Sequence, residues 1–379
     1  MKIAEVRGYH LRCPLPEPIG SARGFFDRRD SLIIEIVADG ISGWGETWSA
    51  PEAAAPLLRS RMIPRILGQD ATQIGALWGL ATAAGGDRRG TAMDAVAAID
   101  MALHDLVARA RNVPVASLLG GALRDRVLAY ASGPFMRPDG HPYRAYQAEV
   151  EAYLRLGFRA IKPRSGFNPR EDGIIAAALR KQIGPDHALM FDFNQSYTAR
   201  AAIAAAQRMA DADLLWIEEP VGPEDIGGYR TVARAIDTAV AGGEALATAA
   251  AFRDFLAADA IAVLQPDLAV CGGFTGVRTV SALAEAFELP VVPHVWGTVV
   301  GFYAALQLAA VLPARRGGGP MPYPFLEFDR SPHPGLLVFG DPPLNPDGTL
   351  SIPHGPGIGI EISARDLAPW IVESWVEAP

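Results

Sequence analysis

Lysine is the scarcest charged residue in this sequence of 379 residues, occurring only at Lys2, Lys162 and Lys181. Chemistry that needs an amine base therefore has very few candidates. Cysteine is scarcer still: Cys13 and Cys271 stand far apart and at no metal-ligand spacing. That excludes a disulfide framework or a zinc–thiolate site and fits a reducing cytoplasm. The net charge is −8, and most cations are arginines scattered along the chain. With no dense basic stripe, nucleic acid is not an expected partner. No apolar run approaches the roughly 20 residues of a bilayer span, so no membrane is expected either. The opening MKIAEVRGYHLR carries charges throughout and does not read as a signal peptide.

What remains is an ordinary globular composition, half hydrophobic and a fifth charged, long enough for two domains. Residues 1–125 read as an α+β unit. MKIAEVRGYHLR and SLIIEIVADG are strand-like, Asp39-Gly40 marks a turn, and DAVAAIDMALHDLVARA spaces its apolar residues three and four apart like a helix. That helix ends before Pro114. From residue 126 to 350 short β-like runs alternate with Ala-rich helical stretches: VLAYA, RAIKPR, ALMFDFN, LLWIEEP, AVAGGE, IAVLQPD, LPVVPHVW and PFLEF. Strand–helix alternation predicts a parallel sheet, and eight such units in about 200 residues predict a (β/α)8 barrel. A doubly wound open sheet is the alternative, but no Gly-rich phosphate turn follows the first strand. Residues 351–379 are expected to pack back on the first unit.

Several predicted strands end in a residue able to do chemistry. Asp192, Glu218 and Glu244 follow one another at intervals of 26 residues, one βα unit each, and Asp267, His294 and Glu327 end the next three. In a barrel the carboxyl ends of all strands meet at one face, where active sites lie. Taken singly, each carboxylate is as readily a helix cap or a solvated loop residue. Taken together, clustered carboxylates repel and raise one another's pKa unless a cation sits among them. Three oxygen-only ligands select a hard ion such as Mg2+ over zinc.

WIEEP (216–220), DFNQSY (192–197), GGE (242–244), LQPDLAVCGG (264–273) and PHVWGT (293–298) resemble the mandelate racemase branch of the enolase superfamily, as does the helix AVAAIDMALHD (95–105). FDRRDS, VAGGE, PHVWGT, LEFDR and IPHGPGIGIEI look closer to galactarolactone cycloisomerases and acid-sugar dehydratases. The resemblance covers nearly the whole chain. It implies a modified (β/α)7β barrel with an α+β capping domain, and a homo-oligomer, dimers and octamers being common among relatives. It also implies that Asp192, Glu218 and Glu244 bind Mg2+, with Asn194 and Glu219 supporting them. His294 would be the general base, oriented by Asp267. Glu327, protonated, would donate to the developing enolate, and Lys162 would lie near the substrate carboxylate. A Lys or His base with Mg2+ at the enediolate is the known chemistry of the superfamily.

One departure bears on the reaction. The branch usually presents Lys-X-Lys on the second strand, whereas here Lys162-Pro163-Arg164 stands, and arginine stays protonated and cannot act as a base. Racemisation needs two bases; this site offers His294. β-Elimination from a sugar acid or its lactone needs one, so a lyase or a lactone cycloisomerase is expected ahead of a 2-hydroxy-acid racemase or epimerase. The muconate-lactonising type needs a lysine on the sixth strand, and none follows Lys181. Arg23, Asp27, Arg28 and Arg29 fall in what reads as a loop, PIGSARGFFDRRDS, that the family folds over the barrel. With Arg164 these arginines would bind a second carboxylate; the plainer reading is that they solvate the surface or face another subunit. Trp48 and Trp296 are expected at the same pocket, a core role for Trp48 being equally open. His104 reads as structural. A barrel that has lost catalysis is the remaining alternative, but every metal ligand and the His–Asp pair are in place.

Overall fold

The computed structural model describes residues 1–316 and 322–379. β1 (Ile3–Ser21) and β2 (Gly24–Ala38) form a long antiparallel hairpin, and β3 (Ile41–Thr47) follows across Asp39-Gly40. Both turn residues have positive φ, 51° and 77°, as a tight two-residue hairpin turn demands. PIGSARGFFDRRDS is therefore not a loop. β1 runs on to Ser21 and β2 starts at Gly24, with Ile19 opposite Phe26 and Gly20 opposite Phe25, after a register shift beyond Pro14. Apolar Ile19 and Phe26 on facing strands supply the pairing that a Gly/Pro-based reading misses.

The helix Thr91–Ala110 lies against this sheet, buried almost all round. β3 approaches it closely enough that a Cβ on Gly45 would stand 2.0 Å from the Ala98 carbonyl oxygen. β13 (Ile371–Glu377) returns to pair with β1, giving the sheet order β13-β1-β2-β3.

The second unit is built on parallel strands: β4 (Arg126–Ser132), β5 (Ala160–Lys162), β6 (Ala188–Leu189), β7 (Phe191–Asp192), β8 (Ile217–Glu218), β9 (Val240–Gly242), β10 (Val263–Leu264) and β11 (Phe325–Asp329). β11-β4-β5-β6 and β7-β8-β9-β10 form two arcs. β6 and β7 are one strand interrupted at Met190, so the arcs join there, and an Arg164–Asp192 bridge reinforces the seam. Bridges from Leu264 to Val291 and from Asp267 to His294 add a seventh strand position. Among the described residues no ladder joins that position to β11; the Val295 N–H instead donates to Glu327 Oε2 at 3.1 Å. An inner apolar layer draws Tyr130, Ala160, Met190, Trp216, Ala241, Val263, Val292 and Phe325 from all eight positions. β12 (Thr349–Ser351) pairs antiparallel with the start of β4. No helix among the described residues is long and apolar enough to cross a membrane.

Candidate active site

Parallel pairing brings the strand ends to one face. Asp192 and Glu218 are register partners, and Glu244 stands two residues beyond β9. Ligand oxygens of these three carboxylates lie within 4.8 Å of one another. Asn194 donates its backbone N–H (2.7 Å) and its Nδ2 (2.8 Å) to Asp192, and Glu218 accepts from Trp216 Nε1 (3.0 Å) and Gln265 Nε2 (2.5 Å). Burial pushes all three carboxyls above their usual range; Arg164 and Lys162 pull Asp192 back, Lys162 does so for Glu218, and His294 for Glu244. Glu244 Oε2 is buried without a hydrogen bond. An orphaned oxygen in an oxygen-only trio fits a hard divalent cation. Around them Asn194, Gln195 and Glu219 hold left-handed backbone at φ 44°, 61° and 42°, a strain that clusters at functional sites. Both Glu219 carboxyl oxygens accept from Gln195 Nε2 at 2.8 Å.

His294 is buried, its Nδ1 2.7 Å from Asp267 Oδ2. The same oxygen accepts from Trp48 Nε1 at 2.9 Å, and Oδ1 takes the Ala269 N–H at 2.6 Å. His294 Nε2 stands 3.2 Å from Glu244 Oε2. Burial lowers the imidazole's pKa, but Glu244, Glu327 and Asp267 outweigh it and lift the ring to about 10. Near this pair Asp94 is buried with Oδ1 unpartnered, and burial with the charge of Asp267 raises its pKa to about 7.

Glu327 and Lys162 pair with one another here. Burial raises the Glu327 pKa, but Lys162, His294, Arg164 and the Ser132 hydroxyl (2.5 Å) pull it far below the usual carboxylate range. Lys162 is fully buried between Glu218 and Glu327 (3.0 Å to the latter) and does not line the cavity.

That cavity, about 150 Å3, is bounded by Arg164, Asn194, Glu244, His294, Phe135 and Trp296 on the barrel side and by Gly20, Ser21, Phe26 and Trp48 from the first unit. It is small against the roughly 300–1,000 Å3 of drug-sized sites. Arg164 bonds Asp192 and, at 3.0 Å, the Ser132 hydroxyl, with its guanidinium 5.1 Å from the Phe135 ring and 5.5 Å from that of Trp296. The other three arginines lie elsewhere. Arg29 is buried, bound to Asp329 (2.9 Å) and to the Trp296 carbonyl, and stacked 3.4 Å from the Trp296 ring centroid, so it positions that ring rather than a ligand. Arg28 is exposed beside Asp27 and Asp30. Arg23, also exposed, donates to Gln195 Oε1 at 2.7 Å. Ser132, Gln195, Phe26 and Phe135 went unnoticed in the sequence; Ser132 alone carried a signal, as the polar end of the first strand. Glu46 was missed as well. It accepts from the Thr298 N–H (2.6 Å), the Thr298 hydroxyl (2.7 Å) and the Gly301 N–H (2.7 Å), capping the helix that follows His294.

Comparison with known proteins agrees over both units. Residues 3–120 match the mandelate racemase/muconate lactonizing enzyme N-terminal domain, and residues 145–367 the enolase C-terminal domain-like family. The chain is 38% identical over 374 residues to the D-galactarolactone cycloisomerase of Agrobacterium fabrum, covering 97% of this chain and 98% of that one. It is 30% identical to the L-rhamnonate dehydratase of Saccharopolyspora erythraea, over 93% of this chain and 90% of that one. The structure of the L-talarate dehydratase from Polaromonas sp. JS666 with Mg and L-glucarate superimposes with a TM-score of 0.84 at 28% identity, over 100% and 99% of the chains. This chain belongs to the mandelate racemase/muconate lactonizing enzyme family of the enolase superfamily.

Proposed function

We propose that the protein is a Mg2+-dependent enzyme that removes the proton α to a carboxylate of a sugar acid or its lactone and then eliminates the β-oxygen. The observation that carries this reading is the buried His294–Asp267 pair beside the Asp192–Glu218–Glu244 trio, with His294 and Glu244 both lining one small cavity. We divide the chain into a cap (1–125), a closed (β/α)7β barrel (126–350) and a returning segment (351–379).

Asp192, Glu218 and Glu244 would hold the ion, which when bound stabilises negative charge on the enolised carboxylate and offsets the carboxylate charge that keeps His294 protonated. His294 Nε2 takes the α-proton while Nδ1 stays on Asp267, which fixes the tautomer and balances the imidazolium. The pair from the broken C–H bond forms the Cα–Cβ double bond, and the β C–O pair leaves with the oxygen. For a syn geometry His294 returns the proton to that oxygen; the enol then tautomerises to a 2-keto acid. A leaving hydroxyl makes this a dehydration, a leaving ring oxygen a lactone isomerisation. Arg164, held by Asp192 and Ser132 beside two aromatic rings, offers its remaining donors to substrate oxygens. Trp48 and Trp296 wall the cavity. To donate to the enolate, Glu327 would have to take up a proton as substrate binds, against the pull of Lys162, His294 and Arg164 on its pKa. Arginine at position 164 supports one-base elimination over racemisation.

The test is incubation with Mg2+ and a panel of aldonic and aldaric acids and their lactones, following 2-keto-acid formation. A keto acid that disappears in His294→Asn supports the reading. Exchange of the α-hydrogen for deuterium without elimination would instead mark an epimerase.

A further inference from the structure

Away from the active site, a cleft of about 640 Å3 opens between the cap helix Thr91–Ala110 and the barrel helix Gly273–Ala286. Its volume is that of an ordinary ligand site. In a chain of net charge −8, no Asp or Glu lines it, whereas Arg111, Arg278 and His104 do. Neither arginine makes an ion pair among the described residues. His104 is 6% exposed, with Nδ1 committed to the Asp100 carbonyl at 2.8 Å and to Asp100 Oδ2 at 3.3 Å. Its Nε2 has no protein partner among the described residues and is left to the cleft.

The cleft wall adds a fourth donor group. The 12-residue helix Ile74–Gly85 begins there without a side-chain cap, and the Ile74 and Gly75 N–H groups make no hydrogen bond within the described residues. The space at Gly75 is open, with nothing within 4 Å of where a Cβ would lie. Free N–H groups at a helix start, with the positive end of its dipole, attract anions. Two guanidinium groups can bind carboxylate or phosphate oxygens bidentately.

We propose that this cleft is a second binding site, for a small organic anion carrying at least two carboxylate or phosphate groups. Cap residues (Gly75, His104, Arg111) and a barrel residue (Arg278) share the ligand, which therefore ties the two units together at a place remote from the catalytic cavity.

Isothermal titration of the Mg2+-loaded protein with inorganic phosphate and, separately, with glutarate tests this at matched ionic strength. At least one anion binds the wild type at a single cleft site. Arg111→Gln/Arg278→Gln weakens that binding by about tenfold or more, as loss of charge-assisted bonds requires. Thr279→Glu, which only adds a carboxylate to the cleft wall, weakens it too, and Arg164→Gln leaves it unchanged. Preference for phosphate or for glutarate identifies which anionic group the site is built for. The proposal is overturned if neither anion binds, if both cleft variants bind as the wild type does, or if Arg164→Gln alone abolishes binding. It is overturned equally if the double variant changes the sedimentation coefficient, because a second copy of the chain would then be what covers the cleft.

Discussion

Asp94→Asn should change how stability depends on pH, by an amount the structure sets. Asp94 is 1% exposed, its Oδ1 has no partner, and its pKa stands near 7 against 3.8 for an ordinary aspartate. Burial is the main cause and the charge of Asp267 adds to it, while the Ser49 hydroxyl pulls the other way. A carboxyl whose pKa is higher in the folded state binds its proton more tightly there. Its contribution is full below pH 3.8 and is lost as pH rises through 7. At about 1.4 kcal/mol per unit, the loss is about 1.7 kcal/mol at pH 5 and about 4 kcal/mol at pH 8. Asparagine cannot ionise and escapes this loss. Its amide needs a partner for its own N–H groups, at a cost of about 1–3 kcal/mol that does not vary with pH.

The sign of the difference at any one pH is therefore open to that offset, but its slope is not. Urea unfolding of wild type and Asp94→Asn, both metal-free, at pH 5 and pH 8 measures the slope. The variant should gain about 2–3 kcal/mol on the wild type between the two. All other titrating groups are common to both proteins and cancel. A change below about 1 kcal/mol would mean that Asp94 ionises normally, and that burial without a partner has been given too much weight.

Other outcomes follow from the same geometry. Asp267→Asn should lower kcat by roughly 100- to 10,000-fold with little change in KM, since it disturbs the base and not the grip on substrate; an equal fall in affinity would contradict that. Removing divalent cations with EDTA should leave His294 titrating near 10, and adding Mg2+ should move it down toward the ordinary histidine range, which imidazole NMR resonances will report. An unmoved resonance would separate the ion from the dyad. Glu46→Gln places an amide donor against the Thr298 and Gly301 N–H groups and should destabilise the protein by about 1–3 kcal/mol, read in the same urea assay.

Much of the site could be read in one dimension. A parallel sheet with one chemical residue per strand end repeats at the length of a βα unit, so the 26-residue spacing of Asp192, Glu218 and Glu244 already encodes their meeting. His294 and Asp267 follow by the same logic. What escaped depends on partners distant in the chain or on charge. Arg29 reads like Arg28 in sequence. Only the fold gives it Asp329 and the Trp296 ring, and leaves its neighbour in water. The lowered pKa of Glu327 is set by Lys162 and Arg164 from one other strand and His294 from another, which no local pattern announces. The hairpin reads as a loop in sequence because Pro14, Pro16 and Pro18 break regular pairing and mask the strand that resumes beyond them.

The first unit does more than close over the cavity. Trp48 donates to the Asp267 oxygen that also faces His294 Nδ1, and Thr47 on the same segment bonds the Ala269 carbonyl at 3.1 Å. Glu46, one residue earlier, caps the helix that begins just after His294 and Trp296, and Arg29 fixes the Trp296 ring. Residues of β2 and of the β3 end thus set the surroundings of His294, while their neighbours Ser21, Phe26 and Trp48 line the cavity. On the proposed function, specificity and base strength share one scaffold. A change in the cap that admits a different acid will also shift the hydrogen bonds around Asp267, so altered substrate preference should come with an altered pH profile rather than with KM alone.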